Sequence, residues 1–115
     1  DAAMDVVAQF ANLLKAKRYA EAHRLWSGDT VSDANFAKRF AGYEFGGAAI
    51  GKPGAVEGAA GSLYVDVPLR LFFAKGDYTG SLTGKMTLRR VNDVPGSTAE
   101  QRRWHIVRAD LRPAD

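Results

Sequence analysis

Apolar side chains recur at spacings of three and four along the first sixteen residues, and at a spacing of two along the second half of the chain. In "AAMDVVAQFANLLKA", residues 2–16, Ala3, Val6, Val7, Phe10, Leu13 and Leu14 fall on one stripe with no Gly or Pro between them. That period predicts an amphipathic helix. A shorter helix is predicted over "RYAEAHRLWS", where Tyr19, Ala22, His23 and Trp26 share a face and Gly28 with Asp29 ends it. A third begins after Ser32, a good N-cap, and carries Phe36, Phe40 and Tyr43 on one side, so the helical half closes near Glu44.

Six glycines fall within the sixteen residues "GGAAIGKPGAVEGAAG", which read as a crossing from helices to sheet. Beyond them the alternation is strand-like. "SLYVDVPLRLFF" sets Leu63, Val65, Val67, Leu69, Leu71 and Phe73 on one face, with Tyr64, Asp66, Pro68, Arg70 and Phe72 on the other. "AKGD" reads as a hairpin connection, and "YTGSLTGKMTLRRV" carries Leu82, Met86 and Leu88 on one face with Gly80 and Gly84 as bend points. Pro68 has no N–H for a ladder and is expected to face a bulge or an edge. In "VPGS", Pro95 and Gly96 suit the two central positions of a type II turn. Ser97 with Glu100 matches a capping box, so one helical turn is expected before the last strand, "RRWHIVRADLR".

That last strand leaves two readings open. Trp104 and Ile106 share a face with Arg108, Asp110 and Arg112, while His105, Val107, Ala109 and Leu111 share the other. With a regular pleat, Arg108 and Asp110 project into the interior beyond Trp104 and Ile106, as a polar pair in an apolar cleft. With a bulge near Ile106 and Val107 the faces swap and the charges return to water. The four arginines of "VNDVPGSTAEQRRWHIVRADLR" are read mainly as flanking strands rather than as an anion site.

At 115 residues the chain suits one domain spanning 1–115, with 46% hydrophobic and 25% charged residues, close to the globular average. The formal charge of +3 is spread over 16 basic and 13 acidic residues rather than blocked, so no nucleic-acid partner is expected. No apolar run is long enough for a membrane span. Cysteine is absent, which excludes disulfides and thiolate chemistry and leaves the compartment open. The chain opens at "DAAMDVV" without an initiator Met or a leader, which suggests a mature or trimmed product.

Motif by motif, catalytic chemistry finds little support. "GGAAIGKP" satisfies the first seven positions of a phosphate-binding loop, but Pro53 stands where the magnesium-binding hydroxyl belongs and no helix pattern follows. His23 and His105 lie far apart with no carboxylate at a ligand offset, so no metal and no other cofactor is expected. Ser27 near His23 lacks an orienting third partner. Asp66 and Arg70 share a strand face, but about 13 Å of strand separates them and each needs a neighbour from elsewhere.

Three helices followed by an antiparallel sheet closing on "RRWHIVRADLRP" resemble the nuclear transport factor 2-like superfamily, the cystatin-like or SnoaL-like cone. Phe10, Leu14, Tyr19 and Ala22 in the pattern F-x-x-x-L-x-x-x-x-Y-x-x-A carry the likeness, with the "R-W-H-I" strand. The resemblance implies an α+β cone in which three N-terminal helices pack in a curved antiparallel sheet around a cavity, and a homodimer formed through the sheet. Its small exported or lipoprotein-type members imply a periplasmic or lipid-anchored place in the envelope. The expected function is a non-catalytic domain that binds a small apolar ligand or a protein partner. Trp26, Phe40, Tyr43, Trp104, Ile106, Arg108 and Asp110 are the pocket candidates, and no residue is assigned to catalysis. The alternative is an isomerase, cyclase or dehydratase using Asp110 beside Arg108.

Overall fold

The computed structural model describes residues 1–114. Helix α1 (Ala2–Lys15) starts where the Asp1 carboxylate accepts the Ala3 and Met4 N–H groups at 2.9 and 3.2 Å. It ends with Lys17 in the left-handed region (φ 60°), where Lys17 N–H reaches Leu14 O and Arg18 N–H reaches Leu13 O. This is a Schellman closure formed without the usual glycine. Of the predicted stripe, Ala3, Val7, Phe10, Leu13 and Leu14 are buried, Ala11 joins them, and Val6 packs at the margin.

Helix α2 is shorter than predicted, Tyr19–His23. The chain leaves it because Leu25 O accepts from Ile106 N–H at 2.8 Å and Ser27 N–H donates to Ile106 O at 3.0 Å. Trp26 therefore sits in a parallel bridge to Ile106 rather than on a helix. Helix α3 (Asp33–Lys38) is capped by Ser32, whose Oγ accepts from Asn35 N–H at 3.1 Å, as its side chain predicts. From Arg39 to Tyr43 the backbone continues in bonds spanning three residues, which brings Phe40 and Tyr43 beside Phe36 without extending the α-helix.

Five antiparallel strands follow: β1 (Glu44–Ile50), β2 (Glu57–Ala59), β3 (Ser62–Lys75), β4 (Tyr78–Val91) and β5 (His105–Ala114). Their order is β1-β3-β4-β5, with β2 also pairing β3. Strands β3 and β4 are the predicted pair, joined through Gly76 and Asp77 with Lys75 opposite Tyr78. Val65, Val67, Leu69 and Leu71 face inward from β3, and Leu82, Met86 and Leu88 from β4, while Asp66, Pro68, Arg70 and Phe72 face out. Val67, Met86, Leu88 and Ile106 are fully buried against Val7, Leu14 and Phe36 in one core. Each such side chain contributes about 1.5–3 kcal/mol through the area it removes from water.

The glycine-rich crossing is a correction: residues 44–50 form a strand, paired with β3 from Glu44 opposite Ala74 to Ile50 opposite Leu69. Only Gly51–Val56 is irregular, and there Gly51 and Gly54 donate to Pro68 O and Asp66 O at 2.8 and 3.0 Å. In an antiparallel pair, a residue's N–H and C=O point to the same neighbour. The N–H that Pro68 lacks thus falls at the break between β1 and β2. A β-carbon at Gly51 would press within 2.8 Å of Pro68 Cγ, so the chain can pass there only as glycine.

The Val94–Ser97 turn forms as predicted, with Gly96 at φ 88° and Ser97 N–H on Val94 O at 3.1 Å. The capping box lies one residue later than expected. Thr98 N–H donates to Gln101 Oε1 at 2.8 Å and Gln101 N–H to Thr98 Oγ1 at 3.1 Å. Ser97 Oγ is engaged elsewhere, donating to Val94 O and accepting from Arg102.

Candidate functional site

A cavity of about 250 Å³ lies between the helices and the inner sheet face. The four-residue spacing of Phe10 and Leu14 puts both on the lining face of α1. Trp26 arrives from the bridge to β5, and Phe36, Phe40 and Tyr43 from α3 and the turns after it. The sheet contributes Phe45, Leu71, Leu82 and Met86, then Ala109 and Leu111 from β5. Phe36 is the hub: its ring meets Phe10 at 6.4 Å, Trp26 at 6.2 Å and Phe40 at 5.1 Å, all edge to face. Such pairs hold their partners at fixed angles, which favours a preformed wall over a collapsed one.

One polar atom stands out against this lining. The indole N–H of Trp26 is buried and has no hydrogen-bond partner among the described residues. A buried donor left unpaired costs about 1–3 kcal/mol. Of the lining side chains only Arg39 and Tyr43 are ionisable, and no carboxylate is among them.

The last strand resolves its two readings in favour of the bulge. Leu88 pairs with Ile106 and Thr87 with Arg108, so Val107 is the extra residue and the faces swap after it. Ala109 and Leu111 turn to the cavity. Arg108 and Asp110 turn outward, where Arg108 Nε donates to Asp110 Oδ2 at 3.0 Å with both side chains more than half exposed. The expectation that they form a polar pair inside an apolar cleft is therefore corrected. Asp66 shares this outer face; Thr87 Oγ1 donates to it at 2.6 Å and Lys85 Nζ at 3.2 Å. The Thr87 hydrogen bond, with help from Lys85, holds the Asp66 carboxyl below the usual carboxylate range.

Of the seven candidates, Trp26, Phe40 and Tyr43 come together at the cavity. Ile106 is core, fully buried beneath it. Trp104 lies in a separate cleft with Arg90, whose guanidinium sits 5.5 Å above its ring. Phe10, Leu14 and Phe36 were visible as apolar helix positions but not as lining. Leu111 could have been placed only by knowing where the bulge falls.

His23 also departs from expectation, because two carboxylates do reach it. Its Nδ1 is 2.7 Å from Asp33 Oδ1 and its Nε2 is 3.1 Å from Asp29 Oδ1, while its ring stacks 4.3 Å from Phe36. An imidazole that donates from both nitrogens carries both protons. The Asp33 hydrogen bond, aided by Asp29 and opposed by burial, raises its pKa above the ordinary value of 6.5. Among the described residues no group of three or more His, Asp or Glu is arranged to hold a metal.

A raised folded pKa means that the stabilisation is fully present below pH 6.5 and is lost as pH climbs through the shifted value. Thermal melts should therefore show Tm falling from pH 6 towards pH 8.5, and Asp33→Asn should flatten that slope. The stability change should stay within about 1 kcal/mol, since water screens the largely exposed Asp33 carboxylate. A flat wild-type profile would dispose of the charged imidazole. Compared with protein-family models and with curated proteins, the chain finds no match.

Proposed function

We propose that this chain is a non-catalytic binding module of the nuclear transport factor 2-like type, which takes a small, mostly apolar ligand into the aromatic cavity. The observation that carries the reading is the aromatic lining of the cavity, in which Phe36 holds Phe10, Trp26 and Phe40 edge to face, with Arg39 and Tyr43 as its ionisable side chains. A flat ligand with an apolar body would cover those rings. Contacts of α1 with β1, β3 and β5 support the cone arrangement. The outward position of Asp110 supports binding over isomerase or cyclase chemistry, which would need a carboxylate in the cavity. A homodimer through the sheet and a place in the cell envelope belong to the same proposal. Sedimentation of the purified chain and fractionation of the native host test them.

The ligand reading is tested by calorimetry with 2-naphthol and with naphthalene. Trp26→Phe keeps an aromatic ring and deletes the donor. Because it trims the lining, it should weaken 2-naphthol and naphthalene binding alike, by about two- to tenfold. Leu82→Trp, which adds bulk to the lining of the cavity, should abolish binding of both. Naphthol binding that survives Leu82→Trp would refute the assignment.

A further inference from the structure

Beside the N-terminal half of α1 lies a second cleft of about 530 Å³, which shares no lining residue with the aromatic cavity. Ala2, Val6, Leu25 and Trp104 give it an apolar surface. Four arginines line it from three separate stretches of chain: Arg24 after α2, Arg90 near the end of β4, and Arg102 with Arg103 before β5. Against them stands one carboxylate, Glu100, and it is already engaged, 2.8 Å from His105 Nε2 and 3.7 Å from Arg103 Nε.

These arginines are not simply solvated strand flanks. Arg102 Nη1 is anchored on Ser97 O and Ser97 Oγ at 2.6 and 2.8 Å. Arg90 is held over the Trp104 ring and donates from Nη1 to Val91 O at 3.3 Å. A guanidinium has five N–H donors, so each anchored group keeps most of its donors for another acceptor. Arg24 makes no side-chain hydrogen bond or ion pair among the described residues. With Arg103 beside the Glu100 carboxylate, the guanidiniums of Arg24, Arg90 and Arg102 have no carboxylate of their own among the described residues, and a bound anion would relieve their mutual repulsion.

We infer that this cleft is a site for a small planar organic anion, an aromatic carboxylate whose ring lies along Trp104 and Leu25 while its carboxylate meets Arg90 and Arg24. The planar fork of arginine suits a carboxylate's two oxygens, and Trp104 with the apolar lining suits a flat ring. The charges are confined to one cleft rather than drawn out along a face, which argues against an extended polyanion. The inference is independent of the reading of the aromatic cavity.

The test uses Trp26→Phe, in which Trp104 is the one remaining tryptophan and reports this cleft alone. Titration with 2-naphthoate should quench or shift its emission. In that background, Arg24→Gln, at an exposed and unpartnered side chain, should fold normally by thermal melt and bind about tenfold more weakly, as should Arg90→Gln. Rising salt should weaken binding as well, whereas 2-naphthamide should bind far less and inorganic sulfate should not compete at matched ionic strength. Equal binding of the amide, affinity untouched by both arginine variants, or full competition by sulfate would each overturn the inference. So would tighter, arginine-dependent binding of a single-stranded oligonucleotide, which would assign the cleft to nucleic acid.

Discussion

Phe36→Ala should cost about 3–5 kcal/mol of folding stability, the usual range for emptying a fully buried aromatic site. Phe36 has no exposed surface, and three rings meet it edge to face while the His23 imidazole stacks on it. Its neighbours cannot close the gap. Phe10 is fixed by α1, Trp26 by its bridge to Ile106, and Phe40 by the turn after α3. A domain of this size holds about 5–15 kcal/mol in total, so the variant should sit close to unfolding. Urea denaturation would show the midpoint falling with little change in slope. Phe36→Leu, which keeps most of the volume, should lose distinctly less. A loss below about 1 kcal/mol for the alanine variant would mean that the aromatic cluster is not a packed hub.

Gly84→Ala should be nearly as severe, although it adds a single methyl group. At Gly84 the chain runs at φ 153°, and a β-carbon there would overlap the carbonyl oxygen of Asp110 and lie 3.2 Å from Leu111 Cα. Those obstacles are backbone atoms, so no side chain can swing aside. Backbone strain and overpacking together should cost about 2–5 kcal/mol. The damage should appear first in the part of β5 beyond the Ile106–Trp26 bridge, where β4 is its strand partner, as faster amide exchange between Ala109 and Ala114. The cavity should open with it, because Ala109 and Leu111 line it from that strand. Gly47→Ala is the control: nothing lies within 4 Å of the position its β-carbon would take, so it should be close to neutral. Equal stability of the two variants would argue that β5 is not held against Gly84.

The strands that could be read from the chain are those whose own residues carry the alternation. β3 and β4 fall where period two places them, and the short connection through Gly76 and Asp77 sets their register. β1 was read as a crossing because Gly46, Gly47, Ala48 and Ala49 have little strand preference of their own. It pairs because β3 offers a free edge along Leu69–Ala74, and the register shift between Phe45 and Gly47 further hides its alternation. The same limit applies to the capping box, where Ser97 with Glu100 and Thr98 with Gln101 both match the pattern one residue apart. Competing bonds to Ser97 decide between them.

Local periodicity was enough to say which side of α1, β3 and β4 is apolar, because an element's repeat comes from its own backbone geometry. It could not say where β5 changes face. That depends on one unpaired residue, Val107, set by the fit of Ile106 against Leu25, Ser27 and Leu88. Nor could it bring Arg24 to the arginines of the last loop, or two carboxylates to His23, since these meetings join residues from separate elements. Patterning reports an orientation relative to one axis, and only the packing of several axes brings distant side chains to a common place.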